Sequence, residues 1–239
     1  MKKIIIAIII ALALAGVGTG IAFGANRFFS NNNFFEAGRA EKEMLDSRGQ
    51  ADSVYIKSES FSIYKDEIDK IEEQYRIAGV DNGRELAIES LIRRETLYAE
   101  AVKNGFYATE SEVREKLDYY LELTQKGENF ESDVMPFLAG AEMTHEEYWE
   151  SQYDVVEKEI VTGKYYDSLR ENFFAQNNYP DNSSRIQKAV DEGDSLSLEE
   201  LEETDKLFRE MEKFESEWRV KFDEIVEELI QKQDIQYVE

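Results

Sequence analysis

Between residues 84 and 124 apolar side chains recur at spacings of three and four. Ile88, Leu91, Ile92, Ala99 and Val102 form one stripe, widened by Leu97, Tyr98 and Ala101, and Val113, Leu117, Tyr120, Leu121 and Thr124 form the next. The period is that of an amphipathic helix, so the segment predicts two helices that each bury one face. Gly105 between them can take the left-handed conformation that ends a helix, and Thr109 followed by Glu112 is the capping-box arrangement that starts another. The pair therefore reads as a helical hairpin closing over a shared apolar seam.

The helical pattern continues on both sides. KDEIDKIEEQYRIAG after residue 64 predicts a helix, and Thr144 with Glu147 forms a second capping box ahead of HEEYWESQYDVVEKEIVTGKYYDSL. Ser197 with Glu200 forms a third, opening a final helix over 198–232. That helix places Leu201, Phe208, Met211, Phe214, Trp218, Phe222, Ile225 and Leu229 along one side. At about 1.5 Å per residue it would reach roughly 50 Å, so it either spans the whole domain or leaves part of its apolar face to a partner. Strand pattern is confined to two short pieces, 54–57 and 235–238, and their places at the two ends of the folded region suggest that they pair with each other. Residues 176–197 carry turn formers at both ends and read as a connector with at most a short helix around 185–190.

The first 52 residues differ in character. Lys2 and Lys3 precede residues 4–25, which carry no charge and end in small residues. This is an export signal, long enough to cross about 30 Å of hydrocarbon as a helix. The length favours an uncleaved anchor, while Ala22 and Gly24 also permit cleavage after Gly24, and both readings stay open. The positive end is expected in the cytoplasm, which places the rest outside it, anchored to the membrane or secreted. Residues 26–52 read as a polar linker, helical at most after Glu36. Its phenylalanine pairs, Phe28 with Phe29 and Phe34 with Phe35, are expected either at the membrane interface or on the folded domain.

Composition narrows the chemistry. With 28 basic and 52 acidic residues the chain carries a formal charge of −24, which repels nucleic acid and keeps a helical surface solvated. The absence of cysteine excludes disulfides, thiolate metal sites and a lipid-acylated cysteine. The one histidine, His145, begins a predicted helix and reads as a surface or capping residue. Carboxylates on solvated faces lack the burial or like-charged neighbour that catalysis needs. Asp191, Glu192, Asp194, Glu199 and Glu200 do not fit a calcium-binding EF-hand, and no glycine-rich phosphate loop is present. No catalytic residue, metal ligand or cofactor is therefore expected.

Four aromatic doublets remain: Tyr119 with Tyr120, Tyr148 with Trp149, Tyr165 with Tyr166, and Phe173 with Phe174. Neighbouring rings on a helix point about 100° apart, so one ring of each pair can border a groove, or all can be core. For the groove reading the candidates are Tyr119, Tyr120, Tyr148, Trp149, Tyr153, Tyr165, Tyr166 and Phe173.

The order of these elements resembles the N-terminal chaperone module of the SurA/PrsA family of extracytoplasmic folding factors, related in architecture to trigger factor. The resemblance rests on the hairpin RELAIESLIRRETLYAEAVKNGFYATESEVREKLDYYLELT, the preceding strand and helix, GAEMTHEEYWESQYDVVEKEIVTGKYYDSL, and the terminal WRVKFDEIVEELIQKQDIQYV. It covers roughly 53–175 and 198–239. It departs from the family after the first strand, where Lys57, Ser58 and Glu59 replace an Asn-Gly turn. It departs again at 176–197, which is too short for a parvulin domain, so prolyl isomerase activity is not expected. The resemblance implies a mainly α fold, at most two short strands, and ATP-independent binding of unfolded or newly exported polypeptides. The alternative is a membrane-anchored adaptor for one dedicated envelope partner. Self-association into a homodimer stays open.

Overall fold

The structure, a computed structural model, describes residues 34–47, 53–77, 79–177 and 198–238. Residues 4–25, the connector with its acidic cluster, and the capping box at Ser197 lie outside the described residues. The fold is mainly helical, with eight α-helices and a small three-stranded sheet among the described residues. In chain order the elements are α1 (Phe34–Ser47), β1 (Val54–Lys57), β2 (Ser62–Tyr64), α2 (Lys65–Ile77), α3 (Gly83–Lys103), α4 (Glu110–Gln125), a π-helical turn (Phe130–Val134), α5 (Met135–Ala141), α6 (His145–Ser151), α7 (Tyr153–Gln176), α8 (Leu198–Gln231) and β3 (Gln236–Tyr237). The described residues form two compact units, one within 34–164 and 229–238 and the other within 165–177 and 198–228.

In the first unit the hairpin closes as its sequence requires. Gly105 takes φ +83°, and the Phe106 amide donates to the Ala101 carbonyl at 3.0 Å, the bond that seals a helix ended by a left-handed residue. Both capping boxes form, at Thr109 with Glu112 and at Thr144 with Glu147. Val113, Leu117, Tyr120 and Thr124 of α4 are buried. On α3, however, Val102 is 49% exposed. The buried face instead runs through Ala87, Leu91, Glu95 and Ala101, which turns Val102 towards solvent just before the helix ends.

Two cores organise this unit. One gathers Ile56, Ile63, Ile68, Ile71, Ala87, Leu91 and Ile92, with Ile230 and Ile235 packed against it. Its sheet has the order β2-β1-β3. β1 pairs antiparallel with β3, Ile56 opposite Tyr237 and Lys57 opposite Gln236, so the two segments singled out in the sequence do pair. The expectation of only two strands is corrected by β2, which pairs antiparallel with β1 through Ile56–Ile63 and Lys57–Ser62. The turn between them needs no Asn-Gly, because the Ser58 hydroxyl accepts from the Ser60 and Phe61 amides at 3.1 and 3.0 Å.

The other core joins Phe34 and Ala37 of α1 to Val113, Leu117, Tyr120, Val134, Phe137, Leu138, Tyr148, Trp149 and Val156. The linker expectation for residues 26–52 is thus corrected over 34–47. This segment is a helix whose Phe34, 3% exposed, belongs to the core, while Phe35 is 49% exposed. What admits it is glycine. A Cβ on Gly38 would lie 1.9 Å from the Phe137 carbonyl oxygen, and one on Gly140 would lie 2.0 Å from the Phe35 carbonyl oxygen. α1 and α5 therefore touch backbone to backbone, each through the other's glycine. The segment expected as one helix after residue 144 is two, α6 and α7, separated at Gln152.

In the second unit the later half of α7 and most of α8 pack antiparallel through aromatic rings. Tyr166 meets Trp218 and Phe222 at centroid distances of 5.4 and 4.8 Å, and Phe173 meets Phe214 and Trp218 at 5.6 and 5.5 Å. Trp218, 1% exposed, donates its indole N–H to the Tyr166 hydroxyl at 2.6 Å. Arg170 pairs with Glu215 across the same seam. The buried stripe of α8 here is Leu207, Phe214, Trp218, Phe222 and Val226, which leaves Phe208 40% exposed. The sequence pattern had placed Phe208 on the inner side.

A Gly38→Ala substitution should destabilise the first unit by about 3 kcal/mol, because the clash is with backbone and no rotamer relieves it. Urea unfolding measures the loss, and hydrogen exchange should show it concentrated in α1; an unchanged midpoint would refute the close approach.

Candidate functional site

The aromatic candidates separate by burial. Tyr120, Tyr148, Trp149 and Tyr165 are 7%, 4%, 4% and 8% exposed, whereas Tyr119 is 55% exposed. Tyr153, Tyr166 and Phe173 are half-buried. Tyr120, Tyr148, Trp149 and Tyr153 lie in or against the second core of the first unit, and Tyr119 neighbours Tyr120 at 5.7 Å between ring centroids; Tyr165, Tyr166 and Phe173 belong to the second unit. The groove expectation is corrected for Tyr120, Tyr148, Trp149 and Tyr165. The buried stripes of α4 and α6 are wide enough to take Tyr120, Tyr148 and Trp149, which pack on one another, and Tyr165 is buried on α7. Trp149 stacks on Tyr120 at 5.2 Å with 29° between planes, and Tyr148 meets Phe137 edge-on at 5.1 Å. Tyr120 also donates to Glu159 Oε1 at 2.6 Å. Its phenol is pushed well above the usual tyrosine range, by burial first and then by that carboxylate.

His145 is not a surface residue. It is 8% exposed, with its Nε2 accepting from the Trp149 indole N–H at 3.1 Å and lying 2.7 Å from Thr124 Oγ1. The Phe130 ring covers it at 5.2 Å. The Trp149 indole N–H also lies 3.3 Å from Thr124 Oγ1, so indole, hydroxyl and imidazole form one shared polar cluster. Burial lowers its pKa, against a smaller opposing pull from Glu146. The arrangement locks α4 to α6, and the Thr124 hydroxyl beside the ring donates to the Tyr120 carbonyl at 2.7 Å, so it reads as a structural polar cluster.

A second buried polar group lies under α1. Glu41 is 1% exposed; Lys70 of α2 sits 3.1 Å from its Oε2 and donates to its Oε1 at 3.2 Å. Gln152, at the break between α6 and α7, approaches to 3.5 Å. The buried Tyr148 hydroxyl has no hydrogen-bond partner among the described residues, and burial followed by the Glu41 charge raises its pKa far above the ordinary value. A third buried charge, Glu95, is held by Lys158 at 2.8 Å and Arg94 at 2.7 Å. Burial pushes its carboxyl up, but the two cations together hold it below the usual range.

Large apolar side chains remain exposed on several elements, among them Phe35, Val102, Tyr107, Tyr119, Val220 and Tyr237, and one depression lies on α8. Phe208, Met211, Glu212, Glu215, Ser216 and Arg219 line a shallow, open and mainly apolar depression. None of these residues was singled out as a binding candidate in the sequence. The signal that could have found them is the switch of the buried stripe from Phe208 to Leu207, which periodicity alone leaves ambiguous by one position. Among the described residues no cluster of side chains could hold a metal ion, and no helix is long and apolar enough to cross a membrane. Comparison with family models, curated proteins and solved structures finds no match.

Replacing Lys70 by Met strands Glu41 without its cation and should cost about 3–5 kcal/mol in urea unfolding. The Glu41→Gln/Lys70→Met double variant should recover part of that loss; equal losses would argue against a coupled pair. His145 is the chain's one histidine, and its folded pKa lies below the unfolded one. Its contribution is therefore complete above the unfolded value of about 6.5 and is lost as pH falls from there towards the folded pKa. Unfolding midpoints from pH 7.5 to 5.5 should fall more steeply for the wild type than for His145→Asn; parallel profiles would refute this.

Proposed function

We propose that this protein is an ATP-independent holdase of the SurA/PrsA type, acting outside the cytoplasmic membrane on unfolded or newly exported polypeptides and held there by residues 4–25. The observation that carries the reading is large apolar side chains kept at the surface of a folded, strongly acidic chain. Phe208 is 40% exposed, Tyr119 55% and Val220 59%, in a chain of formal charge −24. Exposed apolar surface rimmed by charge suits reversible sheltering of client segments, while the like charge keeps client-free copies apart. The paired ends of the first unit, β1 with β3, are consistent with a helical module completed by its C-terminal segment. Localisation rests on the apolar N-terminal sequence and its two lysines. No covalent step or cofactor is invoked.

A second reading, a membrane-anchored adaptor for one dedicated partner, is favoured by one observation. Tyr120, Tyr148, Trp149 and Tyr165 are spent in the cores, so the apolar surface left for binding is less extensive than a broad cradle for many clients would use.

The full chain reconstituted in nanodiscs, with empty nanodiscs as control and no nucleotide, should suppress aggregation of a chemically unfolded model protein near equimolar ratio. Failure to suppress, with helical circular dichroism intact, would sink the holdase reading and favour the adaptor.

A further inference from the structure

In an asparagine–glycine pair the glycine amide nitrogen can close on the asparagine Cγ, and glycine has no side chain to hinder that approach. The chain holds two such pairs, Asn82–Gly83 and Asn104–Gly105. Both asparagines are exposed, so neither sequence nor exposure tells the pairs apart. Hydrogen bonding does.

Asn104 caps the end of α3. Its Nδ2 donates to the Glu100 carbonyl at 2.8 Å and to Glu100 Oε1 at 3.1 Å, which holds the side chain back along the helix. The Gly105 amide, the nucleophile of this pair, donates to the Val102 carbonyl at 2.9 Å, and the Phe106 amide behind it donates to Ala101. Asn82 stands at the start of the same helix and makes no side-chain cap hydrogen bond. Its nucleophile, the Gly83 amide, lies in the first turn, where a helix supplies no acceptor of its own. With ψ 35° at Asn82 and 7° at Asn104, each glycine nitrogen is turned away from its Cγ, so ring closure in either pair requires rotation about the asparagine Cα–C bond. At Asn104 that rotation breaks the bonds that seal the end of α3. At Asn82 it disturbs the first bond of the helix, from the Leu86 amide to the Asn82 carbonyl at 3.2 Å, at a helix end that frays at little cost.

We propose that Asn82 is a site of spontaneous modification, converting through a succinimide to aspartate and isoaspartate, and that the fold protects Asn104 from the same reaction. The Gly83 nitrogen bonds to Asn82 Cγ and gives up its proton, and Nδ2 leaves with a proton as ammonia. Water then opens the ring at Cγ to give aspartate, or at the backbone carbonyl carbon to give isoaspartate. Water is the one co-reactant, and nothing is oxidised or reduced. Aspartate leaves the main chain unchanged and puts a carboxylate at the N-cap, where it is favoured. Isoaspartate routes the main chain through Cβ and lengthens it by one atom directly ahead of Gly83. There α3 lies so close to α2 that a Cβ on Gly83 would sit 2.7 Å from Tyr75 Cβ, so the longer chain displaces the start of α3. This site stands independently of the holdase reading.

The test holds the full chain in nanodiscs, and the same chain unfolded in urea, in warm, mildly alkaline buffer and digests samples with trypsin at intervals. Cleavage separates the two pairs, one on residues 77–84 and the other on residues 104–114. Mass spectrometry follows the conversion of each, and chromatography resolves the aspartate and isoaspartate peptides. In the folded chain Asn82 should convert at least tenfold faster than Asn104, whereas in urea the two should convert at similar rates. Hydrogen exchange in the first turn of α3 should be faster in the isoaspartate-containing chain than in the Asn82→Asp variant, which carries the other product. Equal rates in the folded chain, faster conversion at Asn104, or an Asn82 that converts only when unfolded would overturn the proposal. A tenfold preference that persists in urea also overturns it, since the fold would then not be the cause. Equal exchange in the isoaspartate chain and the variant overturns the displacement of α3.

Discussion

The close approach of α1 and α5 is the constraint on which the first unit is built. Two helices normally stand 8–10 Å apart, separated by their side chains. Here Gly38 and Gly140 remove that separation at two reciprocal points, and the closeness brings Phe34 and Ala37 over Phe137 and Tyr148. Once α1 is seated, Glu41 is carried out of solvent, and the cost of burying its charge is offset by Lys70 from α2. A backbone contact thus fixes which side chains are core, and the core in turn fixes where a cation is needed.

The buried polar groups share a logic. Glu41, Glu95 and His145 each sit where an apolar residue would simplify the energetics, and each is answered from a different helix: Lys70, Lys158 and Thr124. Removing either partner of such a contact leaves the other buried and unsatisfied, so these groups contribute less to net stability than to excluding alternative helix packings. Most of the doublet rings and the histidine are occupied in this way, while large apolar side chains stay exposed on several elements, among them Tyr107, Tyr119, Val220 and Tyr237.

Much of the fold was legible in local pattern. Gly105 and the two described capping boxes mark helix ends because their chemistry is local, acting over three to five residues. The pairing of β1 with β3 followed from their places at the two ends of the folded region. The failures share one cause, namely contacts distant in sequence. Glu95 is a buried carboxylate only because Lys158, far along the chain, meets it, and His145 reads as a helix-start residue until Thr124 of another helix meets it. Val102 and Phe208 each lie one position from the true stripe, where a period of 3.6 leaves the choice of inward residue to the packing partner. Residues 34–47 read as linker because the glycine that docks them matters only when another helix is near.

The sequence by itself determined that the chain is mainly helical, where most of its helices begin and end, that its surface is strongly acidic, and that thiolate chemistry is excluded, since all of these follow from residue type and short-range spacing. Tertiary structure decided which face of each helix is buried, that Phe34 and Ala37 of α1 belong to the core, that His145 and Glu41 are inside, and which ring of the Tyr119–Tyr120 doublet stays exposed. Burial is a property of what lies opposite, and what lies opposite is set by contacts that no local pattern contains.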